Sequence, residues 1–352
     1  MQEQELKQEF DSLNREINFI PDSEPAYLVK ISPDDYRALI QSGYYRGLFA
    51  KIYFSYYGIG GLDYSYVYEQ HKVLNKSMEK RSEEVVRYPN PMNCGRTERF
   101  NWMVEQTWRV EQKRYRLLPN YPTSSLEEKT RVAKVYWNTA ANFPQVWETD
   151  PSEATTAQEY FIEKLREWTK IGEHRVPEIT KRRRAIEKGI LNNIESLLMF
   201  WFFRLFQNTD IVLVDNCGYM LDLHPAFKPN YFGIACWLWG WSLYWSINNN
   251  LNQFEVLNEW EWEFDSWINI FFGVQLEIAR IGTENLPVFE ENYFRFRKLV
   301  WANFLERVYA TLCVDISLRR SPFNDINDDQ IRSIQAFWLS ILNNILFKLG
   351  VS

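Results

Sequence analysis

The strongest hint of proton chemistry in this 352-residue chain is the tripeptide Asp222-Leu223-His224. On an extended strand, residues i and i+2 point to the same face, so the Asp222 carboxylate could orient the His224 imidazole as a general base. Cys217, a few residues upstream, could act as a nucleophile if the fold brings it to His224. No G-x-S-x-G elbow accompanies them, and the plainer reading of the pair is a structural hydrogen bond. The other histidines, His71 and His174, each have an acid nearby (Glu69 and Glu173) but no H-x-x-E or H-E-x-x-H spacing. No zinc or diiron site follows from them.

A second constellation is aromatic. In Cys236-Trp237-Leu238-Trp239-Gly240-Trp241-Ser242-Leu243-Tyr244-Trp245, helical spacing puts Trp237, Trp241 and Tyr244 on one face and sets Trp241 and Trp245 one turn apart. Trp237, Trp241 and Trp245 could wall a pocket for a bulky apolar ligand, with Asp222, His224, Glu259 and Glu263 as polar anchors. The same spacing serves equally as core or subunit interface.

Carboxylates follow directly. Glu255, Glu259 and Glu263 recur at helical spacing on one face, Glu261 and Asp265 on another. Such rows can hold Mg²⁺ or Mn²⁺, and a helical, acidic, aromatic-rich chain invites comparison with terpene cyclases. That comparison fails: no DDxxD occurs, and Asn327-Asp328-Asp329 lacks the spacing of a second metal motif. The rows read as a solvated face. The one dense basic run, Lys181-Arg182-Arg183-Arg184 with Lys188, spreads around a helix and makes no focused stripe. Gly58-Ile59-Gly60-Gly61 is not a phosphate loop, since no Gly-Lys-Ser/Thr follows.

The elements that must position these residues read as helices. Ser32-Pro33-Asp34-Asp35 has the form of a helix start, predicting a helix to about residue 57. Others are expected over 64–86, 98–117, 153–171, 178–207, 231–248, 253–281, 288–318 and 328–349. Ser124-Ser125-Leu126-Glu127 reads as a capping box opening another helix, to residue 142. One β signal stands out: residues 211–214 and 219–223 flank Asp215-Asn216-Cys217-Gly218, a short hairpin. At the N-terminus Leu6, Phe10, Leu13, Ile17 and Ile20 form a narrow a/d seam suited to a coiled-coil contact.

Composition sets the outer bounds. Aromatic residues make up 17% of the chain, including 15 Trp, enough to build a large core. A net charge of −6 argues against a phosphate backbone or an anionic membrane as main partner. The four cysteines, Cys94, Cys217, Cys236 and Cys313, form no CxxC pair and suit reduced thiols of a cytoplasmic protein. The start Met1-Gln2-Glu3-Gln4-Glu5 does not look like a secretory signal. The most apolar stretches, 197–206 and 232–247, are too short to span a bilayer.

The expected fold is therefore mainly α: a multi-helix bundle or array with one short β-hairpin at about 211–223. Its expected parts are an amphipathic helix at 1–20, a helical region at 21–149 and an aromatic-rich helical region at 150–352. With no catalytic motif, no metal set and no cofactor indicated, the functional expectation is a non-catalytic interaction protein. It would self-associate or join a larger complex through the Leu6–Ile20 seam. The alternative is an enzyme or carrier that binds a bulky apolar ligand in a Trp-lined pocket.

Overall fold

Strands of this chain form in short runs rich in aromatic and β-branched residues, as in Met199–Phe203 and Ile211–Val214, and helices in longer apolar-rich segments. The computed structural model describes residues 27–30, 39–45, 48–54, 64–79, 85–96, 100–106, 115–117, 125–143, 156–172, 175–194, 197–203, 206–207, 211–214, 217–220, 225–249, 255–279, 286–320 and 322–351. The chain divides into two units. One comprises 1–82, 86–116 and 212–224, the other 83–85, 117–211 and 225–352.

The first unit is built on strands. β1 (Tyr27–Lys30), β2 (Leu39–Tyr45), β3 (Leu48–Phe54), β5 (Pro91–Arg96) and β6 (Phe100–Gln106) form a five-stranded sheet in the order β1-β2-β3-β6-β5. Every pairing in it is antiparallel. Helix α1 (Tyr64–Met78) connects β3 to the strands that follow and packs on β5 and β6, where its Val67 meets Met103 and Cys94. A second sheet runs β4-β10-β9-β7. Its members are β4 (Val86–Arg87), β7 (Tyr115–Leu117), β9 (Ile211–Val214) and β10 (Cys217–Met220). β4 and β10 pair in parallel, Gly218 opposite Val86. At the foot of α1, Asn75 fixes Tyr88 by two hydrogen bonds of 3.0 and 3.1 Å, and His71 stacks on the Tyr88 ring at 3.7 Å.

The second unit is helical: α2 (Leu126–Asn142), α3 (Ala157–Gly172), α4 (Pro177–Leu191), α5 (Phe232–Asn248), α6 (Glu255–Ala279), α7 (Leu286–Ala310) and α8 (Asp328–Lys348). A π-helical segment, Thr311–Ile316, prolongs α7. A two-stranded ribbon joins them, β8 (Met199–Phe203) antiparallel to β11 (Pro225–Pro229). Prolines occupy only the ends of β11, where a missing N–H costs the ladder least. The core is aromatic: Trp260, Phe264, Trp301 and Phe304 stack at centroid separations of 4.4–6.2 Å.

Helices carry most of the regular structure, and the hairpin at 211–220 is present, but the expectation of a bundle with a single hairpin is corrected. The helix expected up to residue 57 is β2 and β3; that expected over 98–117 gives β6 and β7. Both segments are rich in aromatic residues, as in Leu48-Phe49-Ala50-Lys51-Ile52-Tyr53-Phe54, and such residues favour strands over helices. The helix expected over 178–207 stops at Leu191, where Asn193 turns its amide back to the Gly189 carbonyl at 2.9 Å. The apolar run Met199–Phe203 then pairs as a buried strand. The capping box exists one residue later than read, with Ser125 and Glu128 exchanging hydrogen bonds. The Leu6–Ile20 seam lies outside the described residues. Among the described residues no helix is long and apolar enough to cross a membrane.

Candidate functional site

In the helical unit, polar side chains converge where β11 meets α3, α5 and α7. The chain leaves β11 through Asn230 and Tyr231, the latter in the left-handed region at φ 65°. That conformation costs a residue with a Cβ about 1–2 kcal/mol. The Asn303 amide donates to the Asn230 carbonyl at 3.0 Å, and the reversal starts α5 at Phe232.

Glu306 and Arg307 are neighbours on α7, and side chains one residue apart ordinarily diverge around a helix. Arg307 folds back instead, and its Nε and Nη2 donate to the two Glu306 oxygens at 2.5 Å each. Trp168 Nε1 of α3 adds a third bond to the Glu306 carboxylate at 2.8 Å. Glu306 is fully buried. Burial works to raise its pKa, but the Arg307 charge and these hydrogen bonds prevail and hold the carboxyl below its usual range. The guanidinium lies among the rings of Trp168, Phe232 and Trp239, 5.4–5.9 Å from their centroids.

Lys228 of β11 reaches the same place. Its Nζ donates to the Tyr160 hydroxyl at 3.2 Å and lies 4.7 and 5.2 Å from the Tyr160 and Phe232 ring centroids. Burial, and then the Arg307 charge, push the ammonium down to about 8. Cys236 beneath is pushed up to about 12 by burial and stays a thiol.

The π-helical segment closes the cluster. Its first residue, Thr311, accepts from Trp239 Nε1 at 2.7 Å, and Asp315 is pushed up to about 6 by burial, against the pull of Arg307 and Arg320. α3 approaches this segment closely because position 172 is glycine: a Cβ there would lie 2.7 Å from the Cys313 sulfur. The result is a half-open corner with two cations, flat aromatic walls and a neutralised carboxylate, the mixture expected of a polar-ligand site.

The residues singled out in the sequence fall elsewhere. Asp222 and His224 lie outside the described residues, in the stretch between β10 and β11. Trp237, Trp241 and Trp245 are buried on α5: Trp237 packs on Phe206 and Trp267, Trp241 on Trp245 and Trp260. Of the acidic rows, Glu255 and Glu259 are exposed, as read. The others are paired rather than solvated. Glu263 binds Lys129 in a buried ion pair, Glu261 binds Lys348 at 2.6 Å, and Asp265 binds Arg297 at 2.5 Å. No group of three metal-ligating residues occurs among the described residues. Lys181, Arg182, Arg184 and Lys188 are exposed, and Arg183 pairs with Glu187.

The reading of the residues missed Lys228, Glu306, Arg307 and Asp315, which come from separate elements and share no local motif. It also passed over Lys51, at the centre of β3. This strand is paired on both sides, with Lys51 opposite Ser42 of β2 and Met103 of β6.

No protein-family model and no curated protein matches the sequence. Solved structures do. A protein of Ralstonia eutropha described as an aminoglycoside phosphotransferase aligns over 98% of this chain and 98% of its own, with a TM-score of 0.51 at 8% identity. A microcompartment-associated aminopropanol kinase aligns over 97% of this chain and 99% of its own, with a TM-score of 0.50 at 8% identity. The fold is a kinase fold. At such identity the likeness is one of fold alone, yet it extends over nearly the whole chain and accounts for a β-sheet unit followed by a helical one. It overturns the expectation of a non-catalytic interaction protein, and with it the all-helical assembly theme, because the solved proteins of this fold are phosphotransferase and kinase enzymes.

Proposed function

We propose that this chain binds a nucleoside triphosphate and transfers its terminal phosphoryl group to a small acceptor. The observation that carries the reading is Lys51 at the centre of β3, taken with the sequence position of Asp222 just after β10. Kinases hold the nucleotide phosphates with a lysine on their third strand and bind Mg²⁺ through an aspartate that follows the catalytic-loop hairpin. Lys51 is the central residue of β3, and Asp222 comes two residues after the end of β10, at the close of the β9–β10 hairpin.

The donor chemistry fits a hard cation. The Asp222 carboxylate would supply an oxygen donor of the kind Mg²⁺ takes. A bound Mg²⁺ would neutralise charge on the phosphates. Asp210 is the only carboxylate in residues 204–210 and is the best candidate to accept the proton of the attacking hydroxyl.

Two features depart from the kinase pattern and shape the proposal. Residues 31–38, between β1 and β2, contain no glycine, so phosphate contacts fall on side chains more than on a close backbone. Helix α1 turns neutral Gln70 inward, buried and with neither amide atom hydrogen-bonded among the described residues, while Glu69 is exposed and pairs with Lys72 at 3.7 Å.

Titration of the full chain with MgATP by calorimetry tests the reading. Binding in the micromolar to millimolar range is expected, weakened about tenfold or more by Lys51→Met. Asp222→Asn should remove the dependence of binding on Mg²⁺. An absence of nucleotide binding, or affinity indifferent to both substitutions, would refute it.

A further inference from the structure

The packed fold sorts the basic run of α4 by face. Ile179, Ile186 and Ile190 are buried and fix the inner side of the helix. At 100° per residue, Lys181, Arg184 and Lys188 fall within about 60° of one another, opposite those isoleucines. All three are exposed, as is Arg182 on the flank. Among the described residues none of these four makes an ion pair, whereas Arg183 is held by Glu187 at 2.9 Å. One acid, Glu178, is left on the helix against four cations. A focused stripe therefore exists where the sequence alone read none. Like charges at i, i+3 and i, i+4 repel along a helix, so the stability of α4 does not account for it.

An exposed aromatic stands beside the stripe. α4 and the end of α8 approach closely at Gly189, where a Cβ would lie 3.1 Å from Leu346 Cδ2 and 3.4 Å from Val351 Cγ2. Lys188 and Phe347 are the chain neighbours of that contact, and both are exposed. Phe347 is 83% exposed, although Ile341, Leu342, Ile345 and Leu346 around it on α8 are buried. A ring left in water forgoes the burial that its neighbours enjoy, and packing within the helical unit gives it no role.

We propose that this face rests on an anionic lipid bilayer, with the α4 cations against the headgroups and the Phe347 ring at the edge of the acyl chains. Lysine and arginine near an anionic leaflet are attracted without a shaped pocket, and an aromatic side chain adds an apolar contact that salt does not screen. The net charge of −6 argued against a membrane for the chain as a whole. Salt screens charges beyond about 8 Å, however, so a bilayer touching this face meets the local stripe first. A nucleic-acid duplex would use the cations but leave Phe347 in water. The contact is independent of the phosphoryl-transfer reading.

The test is co-sedimentation of the full-length protein with sucrose-loaded vesicles, made of phosphatidylcholine alone or with about 30% phosphatidylserine, and no nucleotide present. Binding to the anionic vesicles is expected at about 1 mM lipid and low salt, with release as salt rises and none to phosphatidylcholine alone. Lys181→Gln, Arg184→Gln and Lys188→Gln together should weaken it about a hundredfold, at roughly fivefold per charge. Phe347→Ala should weaken it about tenfold and leave the salt dependence unchanged. All four side chains are exposed, and melting followed by circular dichroism checks that the variants fold like the parent. No binding, equal binding to neutral vesicles, or either variant binding like the parent overturns the proposal. Tighter binding to a DNA duplex of about 20 base pairs, lost in the triple variant and kept in Phe347→Ala, would assign the stripe to nucleic acid and overturn it too.

Discussion

The helical unit buries two lysines in opposite circumstances. Lys129 of α2 donates to Glu263 and, at 2.9 Å, to Ser266 of α6, with the Trp267 ring 5.5 Å away. One cation meets one carboxylate, both almost completely buried. Lys228 shares its surroundings with the Arg307 cation, and among the described residues its hydrogen bond goes to the neutral Tyr160 hydroxyl. The first arrangement is closed and explains itself as a clamp between α2 and α6. The second leaves a half-buried ammonium on a neutral partner. Burial alone therefore does not set the state of a lysine; what it is bonded to does.

The largest way to break this comparison is to remove one member of the closed pair. Lys129→Met should leave Glu263 buried without a counter-charge and cost about 3–5 kcal/mol, measured by urea denaturation. Lys129→Met combined with Glu263→Leu should recover most of that loss, because two apolar groups need no partner. If the single variant were as stable as the parent, the pair would not be the clamp described.

A smaller effect of opposite sign is expected at Lys228. The Lys228 pKa in the folded protein, about 8, lies below its ordinary value of 10.5. The unfolded chain therefore holds more protons between those values, and stability rises with pH across that window. Lys228→Met should melt higher than the parent at pH 7, and the gap should narrow as pH rises from 8 toward 10. A melting temperature gap that stays constant with pH would show that Lys228 is not desolvated.

The smallest change concerns Asp315, raised in the fold to about 6 from an ordinary 3.8. For a carboxylic acid with a raised pKa, stability is greatest below the unfolded value and is lost as pH climbs through the folded one. Asp315→Asn should be modestly more stable than the parent at pH 7 and indistinguishable near pH 4. Scanning calorimetry at the two pH values decides it.

What the sequence disclosed follows from the range of the interactions involved. Ser125, with an acid three residues on, announces α2 because a helix start is a local event, and the apolar period marks α6 and α8 for the same reason. The hairpin after Ile211 was legible from its turn residues. The sheet of the first unit was not, because Ser32-Pro33-Asp34-Asp35 reads as a helix start just before the segment that forms β2. The short aromatic run Leu48–Phe54 was the signal that could have corrected it. The corner around Lys228 was illegible for a deeper reason. Lys228, Trp168 and Glu306 belong to a strand and two helices far apart in the chain, and only the packed fold brings them together. Asp222 drew notice for its neighbour His224, whereas the proposed function rests on its sequence position after a hairpin.

The π-helical segment Thr311–Ile316 bears on the history of the chain. A stretch of this kind is an α-helix carrying one residue more than its turns need. Deleting a residue from it would restore regular coiling but rotate one flank against the other by about 100°. On one side Tyr309 is bonded to Thr169 and Thr311 to Trp239; on the other Arg319 reaches Ile326 and Asp328. No single rotation preserves both sets. An insertion once accepted here is locked in by the contacts that have grown up on either side of it, so the spare residue should persist through divergence that replaces nearly every side chain around it.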